Sequence, residues 1–112
     1  MFGQAAAKWR ELCERFVGQD AELGRLGVSL GAALFTAARS QTDAARRRGF
    51  QRAFDVLEHA MRSLKLAGDS DTHREASLLA ARICDAWQQT YEPDTPEHLQ
   101  LIALAASLRR TF

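Results

Sequence analysis

Apolar residues recur along this chain at three- and four-residue steps almost from end to end, and nowhere do they alternate as they would along a strand. That pattern predicts five helical segments. In the first, over 4–17, Ala5, Trp9, Leu12, Cys13 and Phe16 share one face, with Glu11, Glu14 and Arg15 opposite. Gly18 then stands where a left-handed C-cap is expected. Asp20 is the expected N-cap of the second segment, 21–39. There Leu23, Leu26, Leu30, Leu34 and Ala37 form one stripe, and Gly24, Gly27, Gly31 and Ala38 form another beside it. Each glycine costs about 1 kcal/mol of helix propensity relative to alanine. Glycines gathered on one side of a helix predict a neighbouring helix packed at short range.

The third segment, 43–66, places Phe50, Ala53, Phe54, Leu57, Ala60, Met61 and Leu64 on one face and fills the other with charge. "AGDSD" (67–71) reads as a turn, and Thr72 with Glu75 has the form of a capping box. The fourth segment then carries Ala76, Leu79, Ala80, Ile83, Cys84, Trp87 and Tyr91 on one face. "EPDTP" ends it, and Thr95 as N-cap with Pro96 at the first helical position begins the fifth, which reaches about residue 110. This last segment is apolar on two sides. Leu99, Ile102, Ala103 and Ala106 make the stripe expected to face the core, and Leu101, Leu104 and Leu108 make a second stripe nearly opposite. The fold class predicted is all-α: one domain over 1–112, an antiparallel four-helix bundle with an added N-terminal helix.

Composition narrows the function more than it names one. With 15 basic and 14 acidic residues the net charge is +1, which gives no global attraction to nucleic acid or to an anionic membrane. The longest apolar run, about 26–38, is shorter than the roughly 20 residues of a membrane span. No basic stretch followed by an apolar core opens the chain, so no secretory signal is expected. Cys13 and Cys84, two thiols far apart on apolar faces, are expected to be buried and reduced, and the location expected is the cytoplasm.

Candidate chemistry is sparse. His59, His73 and His98 lie on three different segments with no metal-ligand spacing, so neither metal nor cofactor is expected. Asp55, Glu58 and His59 sit on a polar helix face and read as solvated rather than as an acid–base cluster. No phosphate-binding loop or nucleophile elbow is present in the sequence, and an enzyme is not expected. "ARRRGF" (45–50) is the one charge run; it reads first as a solvated helix start, and as a contact it suits an acidic protein surface better than a nucleic acid.

The order of several stretches resembles flagellin export chaperones of the FliS type. "FQRAFDVLEHAMRSLKLAGD" (50–69) is similar to the helix of that family that opens on an arginine–alanine pair and closes on serine–leucine before a glycine turn. "GAALFTAARS" (31–40) resembles the preceding helix, "ICDAWQQTY" (83–91) stands at the tyrosine-bearing helix, and "PEHLQLIALAASLRRTF" (96–112) resembles the last. The resemblance spans roughly 20–112. It implies a cytosolic helical-bundle chaperone without enzymatic activity, which holds the aggregation-prone end of an export substrate in hydrophobic grooves.

The expected function is therefore a protein-binding module, an export chaperone or adaptor that receives an amphipathic segment of a partner protein. The alternative is a regulatory or structural homodimer that self-associates through its C-terminal helix. The expected contact residues are Leu101, Leu104, Leu108, Leu78, Arg46, Arg47 and Arg48, with an export substrate or the chain's own copy as partner.

Overall fold

Helix dominates the computed structural model, which describes residues 6–8 and 20–110. Residues 6–8 are helical; the rest of the predicted first helix, with Trp9, Cys13 and Gly18, lies outside the described residues. Four longer helices follow: α1 (Asp20–Arg39), α2 (Asp43–Ala67), α3 (Ser70–Gln88) and α4 (Pro96–Arg110). No strand occurs among the described residues, and the helices pack as an all-α bundle in chain order. α1 lies along α2, α2 against α3 and α3 against α4, while α1 touches α3 only briefly.

The glycine stripe proves to be the packing face of α1. Gly24, Gly27 and Gly31 are buried with Leu34, Phe35 and Ala38, whereas Leu26 of the neighbouring leucine stripe is 45% exposed. Contacts run antiparallel at intervals of seven residues along α1 and of seven and eight along α2. Gly24 meets Leu64, Gly31 meets Leu57 and Ala38 meets Gly49. A β-carbon placed on Gly31 would lie 2.7 Å from Leu57 Cγ, and one on Gly24 would lie 3.3 Å from the Ala60 carbonyl oxygen. The Leu57 and Leu64 side chains therefore lie against bare glycine backbone, closer than a β-carbon would allow.

Leu57 and Leu64 are fully buried at this seam. Burying a leucine stabilises by roughly 1.5–3 kcal/mol, which exceeds the roughly 1 kcal/mol propensity cost of the glycine it covers. At the far end of the pair, the Phe35 and Phe50 rings meet at 5.7 Å between centroids, tilted by 54°.

The turn between α2 and α3 is tighter than the sequence suggests. Gly68, with φ +74°, closes α2 in a Schellman arrangement: the Asp69 amide donates to the Leu64 carbonyl, and the Gly68 amide to that of Lys65. The Asp69 carboxylate then accepts the Thr72 amide at 3.1 Å and is itself the N-cap of α3. The expected capping box at Thr72 thus falls one turn late. Asp69 lies nearer the glycine turn and accepts the amide of Thr72, so Thr72 is already helical. The Thr72 amide holds the Asp69 carboxyl below its ordinary range. The cap is thus fully present above the usual aspartate range and weakens as pH falls through it.

α4 begins as expected, with the His98 amide donating to Thr95 Oγ1 and the Leu99 amide to the Thr95 carbonyl. Its orientation reverses the expected one. Leu101 and Ala105 are buried and Leu108 packs against the core, whereas Leu99 is 56% and Ile102 42% exposed. Ala103 and Ala106 are exposed with them. The polar anchors decide between two apolar sides of similar strength. His98 Nδ1 lies 2.8 Å from the Gln88 carbonyl oxygen, and Arg109 forms a two-pronged ion pair with Asp85. At 100° per residue, His98 and Arg109 share an arc of about 100° with Leu101, Ala105 and Leu108, so both anchors turn that side toward α3.

Substitution at Gly31 tests the seam. Gly31→Leu is expected to lower unfolding free energy by about 1–3 kcal/mol or more. Gly31→Ala is expected to lower it too, although alanine gains about 1 kcal/mol of propensity. The exposed Ser29→Ala should not destabilise. Urea melts of the three variants measure this, and a more stable Gly31→Ala protein would disprove the close contact.

Candidate functional site

Between α2, α3 and α4 lies an open cleft of about 330 Å³. It exists because α4 packs on α3 without an equally close backbone approach to α2. Phe54 from α2, Trp87 from α3, Tyr91 from the following turn, and Leu101 and Leu104 from α4 make its apolar lining. The Phe54 and Trp87 rings are 6.3 Å apart between centroids. The Trp87 indole N–H is shielded from solvent and meets no acceptor among the described residues.

Asp55 and Glu58 from α2 and Glu97 from α4 also line this cleft, with Gln51 and Gln100 as neutral polar neighbours. No basic residue lines it; Arg62 pairs with Glu58 at 3.5 Å, one helical turn further along α2. Partial burial raises the Asp55 carboxyl above its ordinary range, and the charge of His59 opposes that rise. The site is thus an apolar trough with carboxylates on its rim. It suits a side chain or helix face that is apolar at its centre and cationic at its edges.

A second, larger cleft of about 570 Å³ lies between α1, α2 and α3. Arg39, Arg46 and Arg82 line it, above the Phe35 and Phe50 rings. Arg39 lies over Phe35, 5.5 Å from the ring centroid. Asp85, at the edge of the same cleft, is engaged by Arg109.

These clefts redistribute the residues expected to bind a partner. Arg46, Arg47 and Arg48 do not form one patch, because successive helical positions point about 100° apart. Arg46 lines the second cleft, and Arg48 is exposed. Arg47 is structural: its Nε donates to Thr90 Oγ1 at 3.1 Å, its terminal nitrogen donates to the Thr90 carbonyl, and its guanidinium lies 4.2 Å above the Tyr91 ring. It thereby ties the start of α2 to the end of α3, where unpaired carbonyls favour a cation. Leu101 is core, Leu108 is half-buried against it, Leu104 lines the first cleft at 37% exposure, and Leu78 stands exposed on α3.

The sequence reads Phe54, Trp87 and Tyr91 as core and Asp55 and Glu58 as a solvated face, and it assigns Leu101 and Leu104 to a partner contact; the structure brings all of them to one cleft with Glu97. The usable signal was the spacing of Glu97, Gln100, Leu101 and Leu104, which puts acid and leucine on one side of α4.

Among the described residues, no group of three or more histidine, cysteine, aspartate or glutamate side chains is placed to hold a metal ion. No described helix is long and apolar enough to cross a membrane. No protein-family model, curated protein or solved structure matches the chain.

Cys84 is fully buried, and burial, with Asp85 adding to it, pushes its thiol up to about 12. Thiolate is the reactive form, so Cys84 should resist a bulky maleimide at pH 7.5 in the folded protein and react once urea unfolds it. Mass mapping of the labelled residue checks this; rapid native labelling of Cys84 would contradict the buried thiol.

Proposed function

We propose that this chain is a non-enzymatic protein-binding domain, an export chaperone or adaptor acting in the cytoplasm, which holds an amphipathic segment of a partner protein. The observation that carries the reading is the cleft between α2, α3 and α4, where aromatic and leucine side chains are edged by Asp55, Glu58 and Glu97. Its occupant is an amphipathic helix with one or two large apolar anchors flanked by lysine or arginine. The anchors displace water from Phe54, Trp87 and Leu104, and the flanking cations meet the carboxylates, which set orientation and exclude acidic segments. The resemblance to FliS-type export chaperones supports the same reading from the sequence side and suggests an export substrate as the source of the segment.

Two fluorescent 15-residue amphipathic peptides, identical in their apolar face but flanked by lysine in one and glutamate in the other, test it by anisotropy. The lysine-flanked peptide is expected to bind the full-length protein at least about tenfold more tightly. Glu58→Lys combined with Glu97→Lys should invert that preference, and Leu104→Ala should weaken both peptides. An unchanged preference in the doubly reversed protein would refute the reading.

Binding of the lysine-flanked peptide should also weaken as pH falls, because protonated carboxyls no longer attract cations. The loss should begin above the ordinary aspartate range, since burial raises Asp55. A pH titration of the affinity between 7 and 4 is the measurement.

A further inference from the structure

The outward face of α4 is an apolar surface separate from the cleft. Leu99, Ile102, Ala103 and Ala106 all lie exposed on it, and no charged residue interrupts 98–108. At 100° per residue these four share an arc of about 100° with Arg110. Glu97, Gln100 and Leu104, which line the cleft, lie outside that arc.

We infer that this face binds a second copy of the chain, with the two α4 helices antiparallel across a two-fold axis between Ile102 and Ala103. Three features of the face select this occupant and this geometry. The first is size. An axis at that point opposes Leu99 to the partner's Ala106 and Ile102 to the partner's Ala103, so each large side chain meets a small one. Helices can then pack at 8–10 Å between axes without a gap or a clash. The stripe is complementary to its own inverse, which is what an isologous contact requires.

The second is charge. The same axis sets Arg110, at the end of one helix, beside the turn that precedes the other, where Glu92 and Asp94 are exposed. Arg109 is already committed to Asp85, leaving Arg110 as the arginine on this azimuth. The third is the failure of the other arrangement. A parallel pair would set Leu99 against Leu99, Ala103 against Ala103 and Arg110 against Arg110, combining overpacking, a void and like-charge repulsion.

Two 15-residue helices give a contact at the small end of specific interfaces, so association is expected in the micromolar range or weaker. Sedimentation equilibrium of the full chain between about 5 and 500 μM should show a monomer–dimer equilibrium. Ala103→Glu, at an exposed position, should keep the helical circular dichroism and remove the dimer across that range. Arg110→Asp should move the midpoint to higher concentration, and adding Asp94→Arg should move it back.

Cross-linking fixes the register. In a Cys13→Ser background, Leu99→Cys and Ala106→Cys proteins should form few disulfide dimers alone and a mixed disulfide when combined. Monomer at every concentration would overturn the inference. So would a dimer indifferent to Ala103→Glu, or one in which Leu99→Cys cross-links efficiently to itself. Ala103→Glu should keep the cleft's preference for the lysine-flanked over the glutamate-flanked peptide, so failure of the dimer and failure of the cleft reading are separately visible.

Discussion

Everything else in this fold is hung on the contact of α1's glycine side with Leu57 and Leu64 of α2. Glycine is among the poorest helix formers, and three of them fall within eight residues of α1. Their cost is local and their return is long-range. Side-chain carbons of Leu64 and Leu57 stand where β-carbons on Gly24 and Gly31 would press, so the helices meet backbone to side chain rather than side chain to side chain. That approach seals Leu57 and Leu64 from water and sets the axial register that brings Phe35 onto Phe50. A register shifted by a few residues would push Leu57 and Leu64 against larger neighbours than glycine. The seam is therefore a specificity device as much as a source of stability.

With α1 fixed on one side, α2 offers its other side to α3, and the α2–α3 pair is fastened at both ends by polar groups. At one end Gly68 and Asp69 complete the closure of α2 and the opening of α3 within two residues. At the other, Arg47 from α2 satisfies the Thr90 carbonyl just beyond α3 and covers Tyr91. Tyr91 and Trp87 line the cleft, so Arg47 shapes the candidate site without lying in it. The Arg47 guanidinium also occupies the carbonyl-rich end of α3, where a cation is favoured. One arginine of the charge run is thereby removed from the surface chemistry that its sequence neighbours suggest.

Among the described residues, the four longer helices and the close glycine contact were legible in the sequence, because each is written in local periodicity or in a residue with one strong conformational preference, while the start of α3 lies one turn before the expected cap. Thr95 and Pro96 act where they were expected to. The azimuth of α4 was not legible. Leu99–Ile102–Ala106 and Leu101–Ala105–Leu108 are apolar stripes of similar strength, and periodicity cannot rank them. The choice is made by His98 on the Gln88 carbonyl and by Arg109 on Asp85, two contacts between residues 10 and 24 positions apart. The carboxylate rim was hidden for the same reason. Asp55 and Glu58 belong to a polar face of α2, and only the placement of α4 adds Glu97 across from them.

α4 consequently presents two different surfaces on two sides of one rigid element. Glu97, Gln100 and Leu104 line the cleft, while Leu99, Ile102, Ala103 and Ala106 face outward. Among the described residues its own attachment is modest: one hydrophobic line on α3, a histidine–carbonyl hydrogen bond at one end and a solvent-exposed ion pair at the other. An element held on a single side moves more easily than one held on two. A segment that enters the cleft and shifts α4 would also shift the outward stripe, and with it the spacing available to a second copy. By thermodynamic reciprocity, whatever factor occupancy imposes on self-association, self-association must impose on occupancy.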